Sequence, residues 1–399
     1  MVCIVKKREL KEKEKMADLT MALDFGSSLG RAIYTTSNSY IKPELLLLDP
    51  HVVEVPNIAI ANYEKYKVGN PSPQDSSWVN LNDTYFAVGF LAKRQFSTIH
   101  CLNSLKIDSA IPLTLAMVGA VAEIKGLGTT FSLDLGVLLP WSEFKDKDKL
   151  KSVLVSALQS FEYRGQHYHV TLQAFDALPE GGGLFARGRV ASKGKPMKRV
   201  TETNLVVLMI GYRNASILVV ERGELTIGLT SDFGFSQMIT KIKTFTSGQS
   251  EDVLIPAICT GKSISDRTLE RLARSQRAEL REAEKKEIKD AIEDSQQEYV
   301  ATLTNWISQQ IPPHLEIDEI LLGGGTAKYF KRNLTTLLKS YGAQINWSQS
   351  LEKRVVQTFG NEVSKNYLAS RLADVYGLFY RLLKKPLPRL KEVVTRESA

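Results

Sequence analysis

Apolar positions in residues 20–60 fall in short blocks cut by glycine, serine and proline: TMALDFG, RAIYTTS, ELLLLDP and VVEVPNIAIA. Blocks of this length, rich in β-branched and leucine residues, predict four strands, with loops at Asn57 and in the polar NPSPQDSSW. The spacing changes in SAIPLTLAMVGAVAEIKG, residues 109–126, which reads as a helix ending at a glycine. FSLDLGVLLP then reads as a buried strand and DKDKLKSVLVSALQSF as an amphipathic helix. QHYHVTLQAFDALPEGGG reads as a strand running into a glycine turn.

Residues 187–204, RGRVASKGKPMKRVTETN, have the composition of a linker or exposed crossing. After them the plan of residues 20–36 begins again. NLVVLMIGYRNASILVVERGELTIG predicts strand, turn, strand, Arg-Gly turn and strand, so the chain reads as a duplicated α/β architecture. Residues 264–311 read as charged helices, capped at Asp266 and stopped by Pro312. Leu269, Leu272, Leu280, Ile288 and Ile292 supply a thin apolar stripe, favouring a solvated helix pair packed by one face over a coiled coil. EIDEILLGGGTAKYF predicts a buried strand entering a helix through three glycines, and SKNYLASRLADVYGLFYRLL a last amphipathic helix.

Composition changes this picture little. The chain has 399 residues, 43% hydrophobic and 24% charged, enough for two domains with substantial cores. Sequence reading finds no uninterrupted apolar run of membrane-spanning length. The charged start MVCIVKKRELKEKEK does not resemble a secretory signal, and Met16 or Met21 would also serve as a first residue. Cys3, Cys101 and Cys259 have neither metal-ligand spacing nor a disulfide pattern, so a cytoplasmic protein is expected. The net charge is +8, but residues 1–15 carry six Lys/Arg against three Glu, and residues 381–399 carry six against two. The body between these basic ends is nearly neutral, which argues against direct nucleic-acid binding, while the lack of a long apolar run argues against membrane insertion.

Three glycine turns carry the candidate chemistry. A triphosphate needs backbone N–H groups at close range, a cation, and a carboxylate to hold Mg²⁺ through water. In DFGSSLGR, Gly26 and Gly30 permit a tight turn, Ser27 and Ser28 add hydroxyls around Leu29, and Asp24 and Arg31 stand on its shoulders. In LLGGGTA, Gly323, Gly324, Gly325 and Thr326 open a helix N-terminus. The second is neither a dinucleotide fingerprint nor a Walker A loop; alone, the first reads more readily as a structural hairpin and the second equally as a structural junction.

In this order the elements resemble the actin-like ATPase superfamily over residues 20–385, and most of all its ParM-type plasmid-segregation members. That resemblance implies a two-domain ribonuclease H-like α/β fold with a central nucleotide cleft binding ATP or ADP and Mg²⁺. DFGSSLGR becomes a first phosphate loop, with Asp24 holding the metal through water. Glu180 of LPEGG becomes the residue organising attacking water, and LLGGGTA the adenosine turn. Gly211, Tyr212, Arg213 and Asn214 occupy the second phosphate loop, and Lys262 lies where the smaller subdomain meets base or ribose. The expected divisions are a basic extension over 1–15, a first domain over 16–200 to which helix 365–385 returns, and a second domain over 201–364. The second domain includes a charged helical subdomain over about 242–316, and a basic tail covers 386–399. The implied function is a nucleotide-regulated homopolymeric filament acting on DNA through an adaptor protein.

The second loop departs from the family. Met209 stands where an aspartate is expected and Ser216 where a later acid often lies, so hydrolysis should be slow while binding survives. Arg213 either approaches phosphate or faces solvent. Two other functions stay open. One is a sugar-type kinase of the same fold, with Asp134 as base by position only; the other is a nucleotide-binding scaffold without hydrolysis.

Overall fold

The structure, a computed structural model, describes residues 17–37, 42–96, 106–185, 189–192, 195–246, 248–259 and 265–384. Residues 1–15, residues 386–399 and Lys262 lie outside them.

Two sheets repeat one plan. The first-half strands are β1 (Leu19–Asp24), β2 (Gly30–Thr36), β3 (Glu44–Leu48), β4 (Val52–Val55), β5 (Trp78–Leu81), β6 (Thr84–Val88), β7 (Thr130–Leu139), β8 (Phe161–Tyr163) and β9 (Gln166–Pro179). They form one sheet in the order β3-β2-β1-β7-β9-β8-β5-β6-β4. A two-stranded ribbon, β10 (Arg189–Ser192) with β11 (Lys195–Arg199), occupies the stretch read from sequence as a linker. The second half has β12 (Asn204–Ile210), β13 (Ala215–Glu221), β14 (Glu224–Ser231), β15 (Glu319–Gly323) and β16 (Gln344–Asn346), in the order β14-β13-β12-β15-β16. β3-β2-β1-β7-β9 and β14-β13-β12-β15-β16 match pair for pair. Each has two antiparallel pairings followed by two parallel ones.

The helices show where local patterns mislead. NIAIA, read as the end of a strand, is helical from Asn57 to Tyr66, because Pro56 ends the extended run and sits at the helix N-cap. The charged segment starts at Ser265, not Asp266: the Ser265 hydroxyl accepts from Thr268 N at 3.2 Å. It then breaks into Asp266–Leu272 and the long helix Ala278–Gln310. Leu269, Leu272, Ile288 and Ile292 of its stripe are buried, while Leu280 is exposed.

Helix Lys106–Lys125 is long and apolar enough, by length and composition, to cross a bilayer. Here it is a core helix: Leu113, Leu115, Met117, Val118 and Val121 pack with β1, β7 and β9 residues in the first core. A second core lies under β12, β13 and β15, and includes Ile288, Ile292, Leu303 and Ile307 of the long helix. The third core joins the halves. Leu372, Val375, Leu378 and Phe379 of the C-terminal helix, Leu368–Lys384, pack with Ala22 and Ile33 on one side and Val207, Leu218 and Leu321 on the other.

Candidate nucleotide site

The first turn is built around an ion pair. Antiparallel pairing puts Arg31 opposite Asp24, and Arg31 Nη2 lies 3.2 Å from Asp24 Oδ2. The guanidinium folds beneath the turn, where a Cβ at Gly26 would come within 1.9 Å of Arg31 Nη2. This is a direct reason for glycine there. Leu29 N closes the turn on Gly26 O at 3.0 Å.

The C-terminal helix then reaches the same turn. Arg31 Nη1 donates to Arg371 O at 2.8 Å, and Arg371 Nη2 donates to Ser28 Oγ at 2.8 Å. The stem of Arg371 lies under the glycine turn of the second half, 3.3 Å from where a Cβ of Gly325 would stand. One side chain thus spans from the Asp24–Arg31 turn to the Gly323–Gly325 turn. Burial, and then the like charge on Arg31, pull the Arg371 guanidinium down to about 10.

The LPEGG turn is held from the same helix. Asp374, 1% exposed, accepts Gly181 N at 2.6 Å and Gly183 N at 2.8 Å. Burial pushes its carboxyl up to about 7, with the charges of Asp24 and Glu180 adding to the rise. Glu180 is ion-paired with Lys106 at the start of the core helix. Glu180 and Asp24 are thus both near enough to Asp374 to act on its carboxyl.

The second turn is largely self-satisfied. Gly211 N donates to Asn214 O at 2.8 Å, while Gly211 O and Tyr212 O accept the first amides of helix Phe235–Thr244. Thr326 Oγ1 donates to Gly211 O at 2.7 Å, tying the second turn to the third. The Tyr212 hydroxyl donates to Glu251 Oε2 at 2.9 Å, and Asn214 Nδ2 donates to Ser231 O and Asp232 Oδ1. Both side chains therefore point into the second half. Arg213 neither faces solvent nor stands free: its Nη2 lies 3.7 Å from Oε1 of Glu143, which is 2% exposed. Glu143 also accepts Ile107 N at 2.8 Å. Sequence reading passed over Glu143, Arg371 and Asp374, because each sits on an amphipathic segment with no local mark of its partner.

Met209 fills an apolar seam. β12 pairs Met209 with Gly323, whose Cβ would come within 2.4 Å of Met209 Sδ and 2.7 Å of Leu184 Cδ1. A Cβ at Gly181 would come within 2.7 Å of Val207 and 2.9 Å of Met209 Cγ. Gly324, at φ 93°, would strike Ile210 O at 2.2 Å. Gly181 and Gly323 let the two halves approach, and Gly324 lets the third turn close against β12.

The donor set does not suit a magnesium ion. Mg²⁺ takes hard oxygen ligands and favours carboxylates left with negative charge to share. Here Asp24, Glu180 and Glu143 each face a basic side chain, and the remaining position offers a thioether. Asp134 also lies far from the turns. β7 pairs it with Thr20, four residues back from Asp24, or about 13 Å along the strand.

No protein-family model matches the sequence, and comparison with curated proteins finds no relative. Solved structures are similar in fold. Actin-like protein Alp7A covers 90% of this chain and 94% of its own at 14% identity and a TM-score of 0.55. Bacillus thuringiensis ParM with ATP covers 92% and 98% at 13% identity and 0.53. The Alp12 filament structure covers 91% and 97% at 12% identity and 0.51. The chain has an α/β actin-like fold. The solved structures it resembles include ParM and other actin-like proteins.

Proposed function

We propose that this chain is an actin-like nucleotide-binding protein that assembles with copies of itself into ATP-regulated filaments and hydrolyses ATP slowly. The observation that carries this reading is the convergence of the Asp24–Arg31 turn, the LPEGG turn and the Gly323–Thr326 turn on one C-terminal helix between duplicated sheets. Fold similarity to a ParM solved with ATP and to the Alp12 filament supports both nucleotide binding and self-assembly. Gly26 to Gly30 would approach the phosphates and Gly323 to Thr326 the adenosine, while Glu180 would order the attacking water. A nucleotide between the halves would favour their closed arrangement, and head-to-tail contacts that do not close on themselves build filaments.

By the same analogy the filament would act in the cytoplasm on plasmid or other DNA through an adaptor. Negative-stain microscopy and light scattering of the purified protein with ATP and with ADP test the reading. Polymer with ATP that shortens on exchange to ADP is expected; no polymer with either at high protein concentration would refute it. The apolar seat of Met209 favours one second reading, a scaffold that binds ATP without turnover. Filaments accompanied by no phosphate release would establish that reading.

A further inference from the structure

Among the described residues, three carboxylates near the glycine turns have a basic partner and a fourth is held by backbone amides, but one cation is left over. Asp24 is matched by Arg31, Glu180 by Lys106 and Glu143 by Arg213. Asp374 is enclosed and spends both oxygens on the Gly181 and Gly183 amides. Arg371 is different. Among the described residues its guanidinium has no carboxylate within ion-pair distance, and its recorded side-chain acceptor is the neutral Ser28 hydroxyl. Asp24 acts on it only from farther off, and Arg31 stands close with the same charge. Two guanidinium groups so near each other, one without a counter-ion, are poorly arranged unless an anion joins them.

The position of Arg371 says which anion. Its tip lies at Ser28 in the first turn and its stem at Gly325 in the third, so the side chain runs between the two glycine turns and sets its charge at the first. Resting on the nucleotide reading above, we infer that Arg371, together with Arg31, takes up the phosphate charge of the bound nucleotide in place of a divalent cation. The planar forks of two arginines can share phosphate oxygens through paired N–H donors, which neutralises charge without a metal. Asp24 then serves to orient Arg31 rather than to hold Mg²⁺, consistent with its 3.2 Å contact.

Calorimetric titration of the full chain with ATP, in magnesium and in EDTA, and with adenosine tests this. The wild-type affinity for ATP should differ by less than about threefold between magnesium and EDTA. Arg371→Ala should weaken ATP binding by about tenfold or more while leaving adenosine within about twofold, since a hydrogen bond to a charged group is worth about that factor. Arg371→Lys, which keeps the charge and much of the stem, should recover part of the loss; Arg371→Gln, which keeps the stem alone, should not. These variants keep the test open if Arg371→Ala fails to fold. A tenfold or larger loss of wild-type ATP affinity in EDTA would overturn the inference. So would an unchanged ATP affinity in a folded Arg371→Gln protein, or equal losses for ATP and adenosine. In those cases the nucleotide reading stands; a wild-type chain binding neither ATP nor adenosine would remove both.

Discussion

Asp374→Asn isolates a carboxylate that the fold makes expensive. In the wild type, burial raises Asp374 from an ordinary 3.8 to about 7. Because the folded value is above the unfolded one, the group contributes no penalty below about pH 4, where both states hold the proton. As pH rises past 4 the unfolded chain ionises first, so folded stability falls until about pH 7 and is level above it. The full penalty is roughly 4 kcal/mol at about 1.4 kcal/mol for each tenfold change in acidity. Between pH 5 and pH 8 the wild type should lose roughly 2–3 kcal/mol that an uncharged side chain would not lose. Asparagine abolishes the titration but has a single carbonyl oxygen for two amides, those of Gly181 and Gly183. One N–H is left unpaired, at a cost of about 1–3 kcal/mol. The variant should therefore be the less stable protein at pH 5, with the gap closing or reversing by pH 8. Urea unfolding of both proteins across this range measures the difference, and parallel stability profiles would refute the reasoning.

Gly377→Ala should destabilise the fold by roughly 3 kcal/mol, because its Cβ would stand 2.0 Å from Gly183 O and no rotamer can relieve a backbone clash. Thermal melting checks it, and a near-neutral effect would mean that the helix and LPEGG turn are not in contact. Arg213→Ala should cost roughly 3 kcal/mol by stranding the buried Glu143 carboxylate. Adding Glu143→Gln should return part of that loss in the same urea assay. Met209→Asp should lower stability by about 1–3 kcal/mol, since it sets a charge against Gly323, Leu184 and Gly181. It should also raise phosphate release several-fold, and Glu180→Ala should lower it; turnover unchanged in both folded variants would show that neither position controls hydrolysis.

Local sequence was a good guide wherever a neighbour in the chain completes the interaction. The Asp24–Arg31 pairing follows from a short glycine turn between two apolar strands, because an antiparallel hairpin sets its shoulders opposite one another. The repeat of that plan at residue 204 was legible for the same reason, as was the strand entering a helix at Gly323. NIAIA was not, since alternating isoleucine and alanine satisfies a strand period while the proline before it starts a helix. What tertiary structure alone decided is the electrostatic character of the cleft. Asp374 meets Gly181 across 193 residues, Arg371 meets Ser28 across 343, and Arg213 meets Glu143 only when the two halves pack. In the sequence these are ordinary charged positions on amphipathic segments. Folding gives Glu143 and Asp374 their partners, leaves Arg371 with no carboxylate within ion-pair distance among the described residues, and packs the half-buried Met209 into the seam. Charge matching depends on distance in space, and only the folded chain sets that distance.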